Sequence, residues 1–161
     1  MQLLPYSDAD LALTEAIECD PEMMRELGGP IARADIPAIH RRRLDGGAPG
    51  DWWLKIVPDP AGPPAGTIGI WEAEWRGSKI DEMGWMVLPE FQGRGIASAA
   101  MEMILSRARS ERRLQSVHAF PSVSNLPSNA LCRKFGFSKL EECDGGYAGR
   151  AFRCNHWELE L

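Results

Sequence analysis

The chain has 161 residues, of which 44% are hydrophobic and 25% are charged, a composition that argues against a disordered protein and allows one ordinary folded domain. A formal net charge of −5, with Arg41 to Arg43 as the only compact basic run, argues against a nucleic-acid-binding surface. No apolar run is long enough to cross a bilayer, and the first residues lack the pattern of a signal peptide. We therefore expect a cytoplasmic protein that binds neither nucleic acid nor membrane.

The first part of the chain predicts one short strand followed by three helices. The strand covers residues 3–6, and the first helix covers residues 7–18, with a serine cap and acidic residues in its first turn, where the helix dipole favours them. An aspartate followed by a proline begins residues 20–28, a pattern typical of a helix start. The third helix covers residues 36–44 and is ended by the glycines at 46–47.

The middle of the chain predicts three strands. Residues 52–57 are aromatic and β-branched, and residues 67–71 form a second strand that pairs with them as a hairpin. The proline and glycine residues of 59–64 exclude regular structure between the two. Residues 80–88 carry apolar side chains on both faces, which predicts a central strand covered on both sides.

The last part predicts alternating helices and strands. The predicted elements are a helix over residues 95–109, a strand over 114–120, a helix over 127–135, and strands over 138–142 and 152–159. The full order is strand, helices, three strands, helix, strand, helix and two strands. This order predicts a mixed α/β fold in a single domain, residues 1–161.

The four cysteines do not indicate a metal site. No two of them are spaced C-x-x-C, and only Cys154 has a histidine close by, His156. Two ligands do not make a zinc site. Because the sequence shows no secretory signal, we expect free thiols rather than disulfides.

A glycine-containing turn between a buried strand and an amphipathic helix is the strongest functional signal. The first backbone N–H groups of a helix have no internal partner, and the helix dipole is positive there, so the turn predicts an anion site. Glycines would let phosphate oxygens reach these groups, and neighbouring side chains would add donors and charge. The candidate phosphate-binding residues are Gln92, Gly93, Arg94, Gly95, Ile96, Ala97 and Ser98.

Two other phosphate-binding motifs are excluded. The pattern G-x-x-x-x-G-K-[ST] is absent, which excludes a P-loop nucleotide hydrolase. A dinucleotide-binding fold needs G-x-G-x-x-G near its start, whereas here Ser98 occupies the third glycine position and several elements precede the turn.

Two blocks of the sequence resemble the Gcn5-related N-acetyltransferase (GNAT) superfamily. Residues 92–97, Gln-Gly-Arg-Gly-Ile-Ala, fit that family's signature Q/R-x-x-G-x-G/A. A second block, with Asn125, Ser128 and Asn129 followed by a helix that ends in Gly-Phe, is similar to the family's downstream block. Residues 82–95 look closest to the branch that contains the ribosomal-protein N-terminal acetyltransferases, although small-amine and antibiotic acetyltransferases share this pattern.

The resemblance implies a mostly antiparallel sheet with flanking helices and two splayed parallel central strands, here residues 80–88 and 114–120. Acetyl-CoA would lie between these strands as the cofactor, and CoA would be the product. The backbone of Met86, Val87 and Leu88 would pair with the pantetheine arm, and a backbone N–H there would bind the thioester carbonyl. Asn125, Ser128 and Asn129 would contact the cofactor arm.

Acetyl transfer to an amine requires a group that removes the proton of the amine. Glu82 is our first candidate for this base, because it shares a strand face with Met86 and lies beside apolar residues that could raise its pKa. The alternative is a glutamate that is salt-bridged or exposed at an edge. His118 is a second candidate, although a lone histidine in a strand is more often structural.

The general acid is less clear from the sequence. Many members of the family carry a tyrosine at the position of Cys132. A thiol with a pKa near ~8.5 could protonate the leaving thiolate, but a helical cysteine is more often a small buried hydrophobe. Tyr147, which we expect in a flexible glycine-rich loop, is an alternative, and so is solvent.

The resemblance leads to an N-acetyltransferase hypothesis: an acetyl group moves from acetyl-CoA to a primary amine, on a small molecule or a protein N-terminus, by direct attack in a ternary complex. Trp52, Trp71 and Tyr147 are candidate acceptor contacts, and scattered acidic residues favour a cationic amine. The alternative is a CoA-binding sensor domain of the same fold without turnover. Exposed strands would allow a homodimer.

Overall fold

Seven strands form one mixed sheet within residues 1–45 and 50–161, which the computed structural model describes. The strands are β1 (Gln2–Pro5), β2 (Trp52–Val57), β3 (Gly66–Trp75), β4 (Ser78–Val87), β5 (Ser116–Ala119), β6 (Ser138–Tyr147) and β7 (Arg150–Glu160). The α-helices are α1 (Leu11–Glu18), α2 (Ile36–Asp45), α3 (Ile96–Glu111) and α4 (Leu126–Lys134). The strand order is β1-β2-β3-β4-β5-β7-β6. The predicted mixed α/β fold is therefore confirmed.

β4 and β5 are parallel, whereas every other neighbouring pair in the described sheet is antiparallel. Their register contains one pair, Glu82 with His118. β4 continues for five residues beyond Glu82, but β5 ends one residue beyond His118. The two strands therefore separate toward their carboxyl ends, as the family resemblance implied.

Both faces of β4 are covered, in agreement with its apolar pattern. Met83 and Val87 pack into the main core with Ile104 of α3, which is fully buried. Met86, on the opposite face, packs against Ile17 of α1. Burying a large aliphatic side chain stabilises the fold by about 1.5–3 kcal/mol, so these contacts hold β4 between two layers of helices.

The predicted helix over residues 20–28 is wrong, because the segment forms turns and a short 3₁₀ helix, Arg25–Leu27. Asp20 does act as a cap, since its carboxylate accepts the next two free backbone N–H groups at 2.8 and 2.9 Å. The chain then turns at Gly28, which has a left-handed φ of 88°, and hydrogen-bonds back to the end of α1 at 2.7 Å. The cap was predicted correctly, but the segment between cap and glycine is too short and irregular for an α-helix.

β6 and β7 are longer than predicted and are joined by a tight turn, so the expected flexible loop at residues 144–149 is wrong. Tyr147 is the last residue of β6. Glycines suggested a loop, but Gly145 lies inside the strand, where a Cβ would come within 2.8 Å of the Cys154 sulfur. This glycine serves close packing between strands rather than a turn. The glycines at 46–47, predicted to end the third helix, lie outside the described residues.

No helix within residues 1–45 and 50–161 is long and apolar enough to span a membrane.

A buried ion pair joins the N-terminal helices to the sheet. Arg43 of α2 donates to Glu18 of α1 at 2.5 Å, and their side chains are 3% and 0% exposed. The Tyr147 hydroxyl donates to the same carboxylate oxygen at 2.8 Å. One carboxylate thus holds together α1, α2 and the end of β6.

Replacing Arg43 by leucine should lower the free energy of unfolding by about 3–5 kcal/mol, because it leaves the Glu18 carboxylate buried without a counter-charge. Urea denaturation measures the change. Arg42→Leu, at the exposed neighbouring position, is the matched control and should cost about 0.5 kcal/mol or less. Adding Glu18→Gln to Arg43→Leu removes the unpaired charge, keeps an acceptor for Tyr147, and should recover much of the loss. Equal costs for the two arginine variants would contradict this account.

Candidate active site

The turn after β4 leaves backbone N–H groups open to solvent. Gly93 and Gly95 have left-handed φ values of 72° and 74°, and no atom lies within 4 Å of where their Cβ atoms would be. The hydrogen bonds of α3 begin where the Ala99 N–H donates to the Gly95 carbonyl at 3.0 Å. The N–H groups of Ile96, Ala97 and Ser98 therefore point out of the helix end, where an anion is favoured.

Side chains around this turn differ in part from the predicted roles. The Gln92 amide donates to the Val87 carbonyl at 2.8 Å, so it fastens the turn to β4 instead of pointing outward. The Lys134 ammonium, at the end of α4, donates to the Ser98 hydroxyl at 2.5 Å and adds a cation to the turn. Sequence reasoning missed Lys134, because only the fold brings it near Ser98. Arg94 extends over the Phe91 ring at 5.9 Å.

A cavity between the diverging ends of β4 and β5 encloses about 310 Å³, and we call it the central cavity. Its walls come from β3, β4, the end of β5, the start of α4, the β6–β7 hairpin and the segment before α2. Among the residues that line it are Met23, Glu26, Leu27, Trp71, Glu82, Met86, Asn125, Ser128 and Tyr147. It therefore joins residues predicted for the cofactor with residues predicted for the acceptor.

Of the three β4 residues predicted to pair with the cofactor arm, Met86 lines the central cavity. The Leu88 N–H donates to the Ala65 carbonyl at 2.8 Å, and the Val87 carbonyl accepts from Gln92. Val87 and Leu88 are also buried, at 8% and 9% exposure. Their engaged backbone groups set the end of β4 and leave Met86 facing the cavity.

Asn129 does not face the cavity, contrary to the prediction. Its amide group donates to the carbonyls of Ser122 and Asn125, both at 2.8 Å. Its side-chain oxygen accepts from Asn155 at 2.7 Å and from Trp157 at 2.9 Å. With four hydrogen bonds made, Asn129 fixes α4 to β7. Asn125 caps α4 by accepting the Ser128 N–H at 3.1 Å.

Glu82 is half-buried in the central cavity and has no ion-pair partner within the described residues. Burial raises its pKa to about 7, and a hydrogen bond from Trp71 acts in the opposite direction. The alternatives of a salt-bridged or edge-exposed glutamate are therefore wrong. A carboxyl group with this pKa can accept a proton near neutral pH.

Trp71 lies directly across from Glu82 in the β3–β4 pair. Its ring stacks on Trp53, with centroids 4.4 Å apart and an interplanar angle of 13°. On its other side, a Cβ at Gly84 would come within 2.6 Å of the Trp71 ring. The stack and the missing side chain together hold the indole against the Glu82 carboxyl.

Trp52 does not contact the acceptor side, contrary to the prediction. It is 7% exposed and packs in the core, with the Arg107 guanidinium 4.3 Å from its ring. Trp53, the next residue, points to the opposite face and lines a second cavity of about 410 Å³. A shift of one position in a strand reverses the face, which is why Trp53 lines a cavity and Trp52 does not.

His118 and Cys132 are also placed outside the cavity walls of the described chain. The Nδ1 atom of His118 lies 2.9 Å from Nε2 of His156, so the structural interpretation holds for His118. Cys132 is fully buried, and burial raises its pKa to about 12. A sealed thiol cannot reach a leaving group, so the prediction of Cys132 as general acid is wrong.

The second cavity adjoins the central cavity at four shared residues: Trp71, Glu82, Gly146 and Tyr147. Tyr147 presents its ring to both cavities, while its hydroxyl is bonded to Glu18. Burial raises the pKa of Tyr147, so its hydroxyl keeps its proton. Glu82 therefore lies where the two cavities meet.

Comparisons with known proteins agree with this geometry. Residues 1–138 match the family model described as an acetyltransferase (GNAT) domain. The ribosomal-protein-alanine N-acetyltransferase from Brucella melitensis superposes with a TM-score of 0.80 at 20% identity, over 100% of both chains. A GNAT-family acetyltransferase from Bacillus anthracis gives 0.78 at 17% identity, over 98% of this chain and 93% of that one.

A third similar structure, the microcin C7 self-immunity acetyltransferase MccE in complex with acetyl-CoA and AMP, gives a TM-score of 0.79 at 17% identity, over 99% of this chain and 91% of that one. At these identities the structures establish a shared fold, and the family model establishes the relationship. The family model matches most of the chain, and the parallel strands separate beside a glycine turn. The chain therefore belongs to the GNAT acetyltransferase family, which uses acetyl-CoA.

Proposed function

We propose that this protein is an N-acetyltransferase that moves the acetyl group of acetyl-CoA to a primary amine, on a small molecule or a protein N-terminus, by direct attack in a ternary complex. The observation that carries the proposal is Glu82, a carboxyl with no ion-pair partner among the described residues and a pKa raised to about 7, at the junction of two cavities. A domain that only senses CoA has no need of such a base, so this feature favours turnover.

The turn after β4 fits the pyrophosphate of the cofactor. Two glycines without side chains, the open N–H groups of the α3 start, and the cations Arg94 and Lys134 supply donors and positive charge there. Farther along β4, the central cavity is lined by Asn125, Ser128, Met86 and Glu82. The arrangement supports a cofactor that enters at the turn and extends between β4 and β5.

Each residue near the reaction centre has a distinct part in the chemistry. When bound, acetyl-CoA supplies the thioester carbonyl that the amine attacks, so a C–N bond forms while the C–S bond breaks. Glu82 accepts the proton that the amine must lose, and Trp71 holds the carboxyl in place. Because Cys132 is sealed and the Tyr147 hydroxyl is bonded to Glu18, solvent protonates the departing thiolate.

Glu82→Gln should lower kcat/KM by about 10²–10⁴-fold, the usual contribution of a general base. Since the carboxylate must be deprotonated to act, the activity of the unmodified protein should fall as the pH drops below about 7. Thiol release with acetyl-CoA and a panel of amines measures both effects. Asp81→Asn, the adjacent position outside both cavities, is the control. If CoA binds but no amine promotes release, the sensor alternative replaces the enzyme.

Trp71→Phe should move the acid limb of the kcat/KM profile to higher pH. The indole N–H lowers the pKa of Glu82, so its loss raises that pKa further. Trp53→Phe is the matched control, because Trp53 stacks on Trp71 but is not among the groups that shift the pKa of Glu82. An unshifted limb in Trp71→Phe would show that the hydrogen bond does not tune the base.

Gly95→Val should abolish the increase in melting temperature that acetyl-CoA produces by binding the folded state. A valine would fill the open space at the turn and would be strained at a φ of 74°. Gly77→Val is the control, since Gly77 has a φ of 79°, equally open surroundings and a place in the β3–β4 turn. If Gly95→Val keeps the full increase, the cofactor phosphates bind elsewhere.

A further inference from the structure

The charged side chains that line the central cavity are all acidic. Three carboxylates line it, from Glu26, Glu74 and Glu82, and none of the described residues that line it is lysine, arginine or histidine. The cofactor's pantetheine arm is uncharged, so it does not compensate these groups. An acceptor in this cavity therefore meets carboxylates and no cation among the described lining residues.

The other two carboxylates, those of Glu26 and Glu74, lie on different walls of the cavity. Glu26 accepts a hydrogen bond from the Ser124 hydroxyl, which lowers its pKa, and it pairs at 3.4 Å with Arg25, an exposed side chain outside the cavity lining. Glu74 has no ion-pair partner in the described chain, because Lys79, opposite it in register, pairs with Glu72 at 2.8 Å. The cavity thus presents carboxylates from two different segments, and the cation that pairs with Glu26 lies outside the described lining.

Aromatic rings form much of the remaining surface. Trp71, Trp75, Phe120, Tyr147 and Phe152 all line the central cavity. The rings are held in place, since Trp75 lies 4.7 Å from Phe120 between centroids and Trp71 is stacked on its neighbour in β2. Aromatic faces attract cations and also bury apolar groups.

The second cavity has a different character. Arg42 and Arg43 line it together with Asp51 and Glu72, so an acceptor that occupied it would meet charges of both signs. The two cavities therefore predict different acceptors: the central cavity disfavours an anionic group beside the amine, whereas the second cavity tolerates one.

Building on the proposed function, we infer that the acceptor binds in the central cavity as a cationic primary amine on an aromatic or apolar body, with no carboxylate or phosphate beside the amine. The carboxylates of Glu26 and Glu74 attract the ammonium group, and the aromatic rings of the cavity contact the apolar part of the acceptor. Glu82 then removes the proton at the end of the cavity where the thioester lies. A carboxylate next to the amine would be forced against like charges, which weakens binding of such an acceptor.

The rate of thiol release from acetyl-CoA should distinguish amines that differ in whether a carboxylate lies beside the amine. We expect kcat/KM for phenethylamine to exceed that for phenylalanine by on the order of 10–100-fold. Phenylalaninamide, which has the size of phenylalanine without its negative charge, should lie close to phenethylamine. If phenylalanine reacts as well as phenethylamine, the inference fails and the acetyltransferase stands. If none of these or other amines releases thiol, the proposed function fails instead.

Reversing the charge of single glutamates tests which of the two cavities binds the acceptor. Glu74→Lys should lower kcat/KM for phenethylamine at least about tenfold, because it replaces a carboxylate of the central cavity by a cation. The ratio of kcat/KM for phenethylamine to that for phenylalanine should fall as well. Glu160→Lys, an equal charge change on an exposed residue at the far end of β7, should leave both values unchanged. An effect of Glu72→Lys without any effect of Glu74→Lys would assign the acceptor to the second cavity and overturn the inference.

Discussion

The single registered pair between β4 and β5 is the constraint on which the site depends. Glu82 and His118 are the last point at which the two parallel strands are held together. Beyond it, β5 ends and β4 continues to the glycine turn, so an unpaired stretch of sheet opens a cavity instead of closing a core. The base candidate lies where the strands separate, and the anion-binding turn lies where the longer strand ends. One feature of the topology thus sets the distance between them.

The chemistry of Glu82 depends on the absence of a partner. A carboxylate taken out of water without a counter-charge becomes easier to protonate, and here burial raises the pKa to about 7. An arginine in ion-pair distance would lower the pKa and remove the basicity. The neighbours instead supply a neutral donor, Trp71, for which Gly84 leaves room. The glycine, the tryptophan and the glutamate form one unit, although no local pattern connects them.

The sequence predicted the features that depend on chain order and short spacing. These include the sheet-and-helix order, the glycine turn, and Glu82 on the cavity face of β4. It failed where the outcome depends on packing between distant segments. Trp52 and Trp53 both look suitable, and only the strand face separates them. Cys132 and Asn129 lie at the expected spacing, but one is sealed in the core and the other has its hydrogen bonds occupied.

The segment that departs most from its predicted structure also bears on specificity. Residues 20–28 do not form an α-helix, and the irregular backbone brings Met23, Glu26 and Leu27 to the central cavity. The buried bond of Glu18 to Arg43 and Tyr147 holds α1 and α2 against the β6–β7 hairpin on either side of this segment. The helices and the hairpin therefore hold the irregular segment in place as one wall of the central cavity. Because irregular segments often carry specificity while a rigid scaffold positions them, we expect changes in this part of the chain to act mainly on the choice of acceptor.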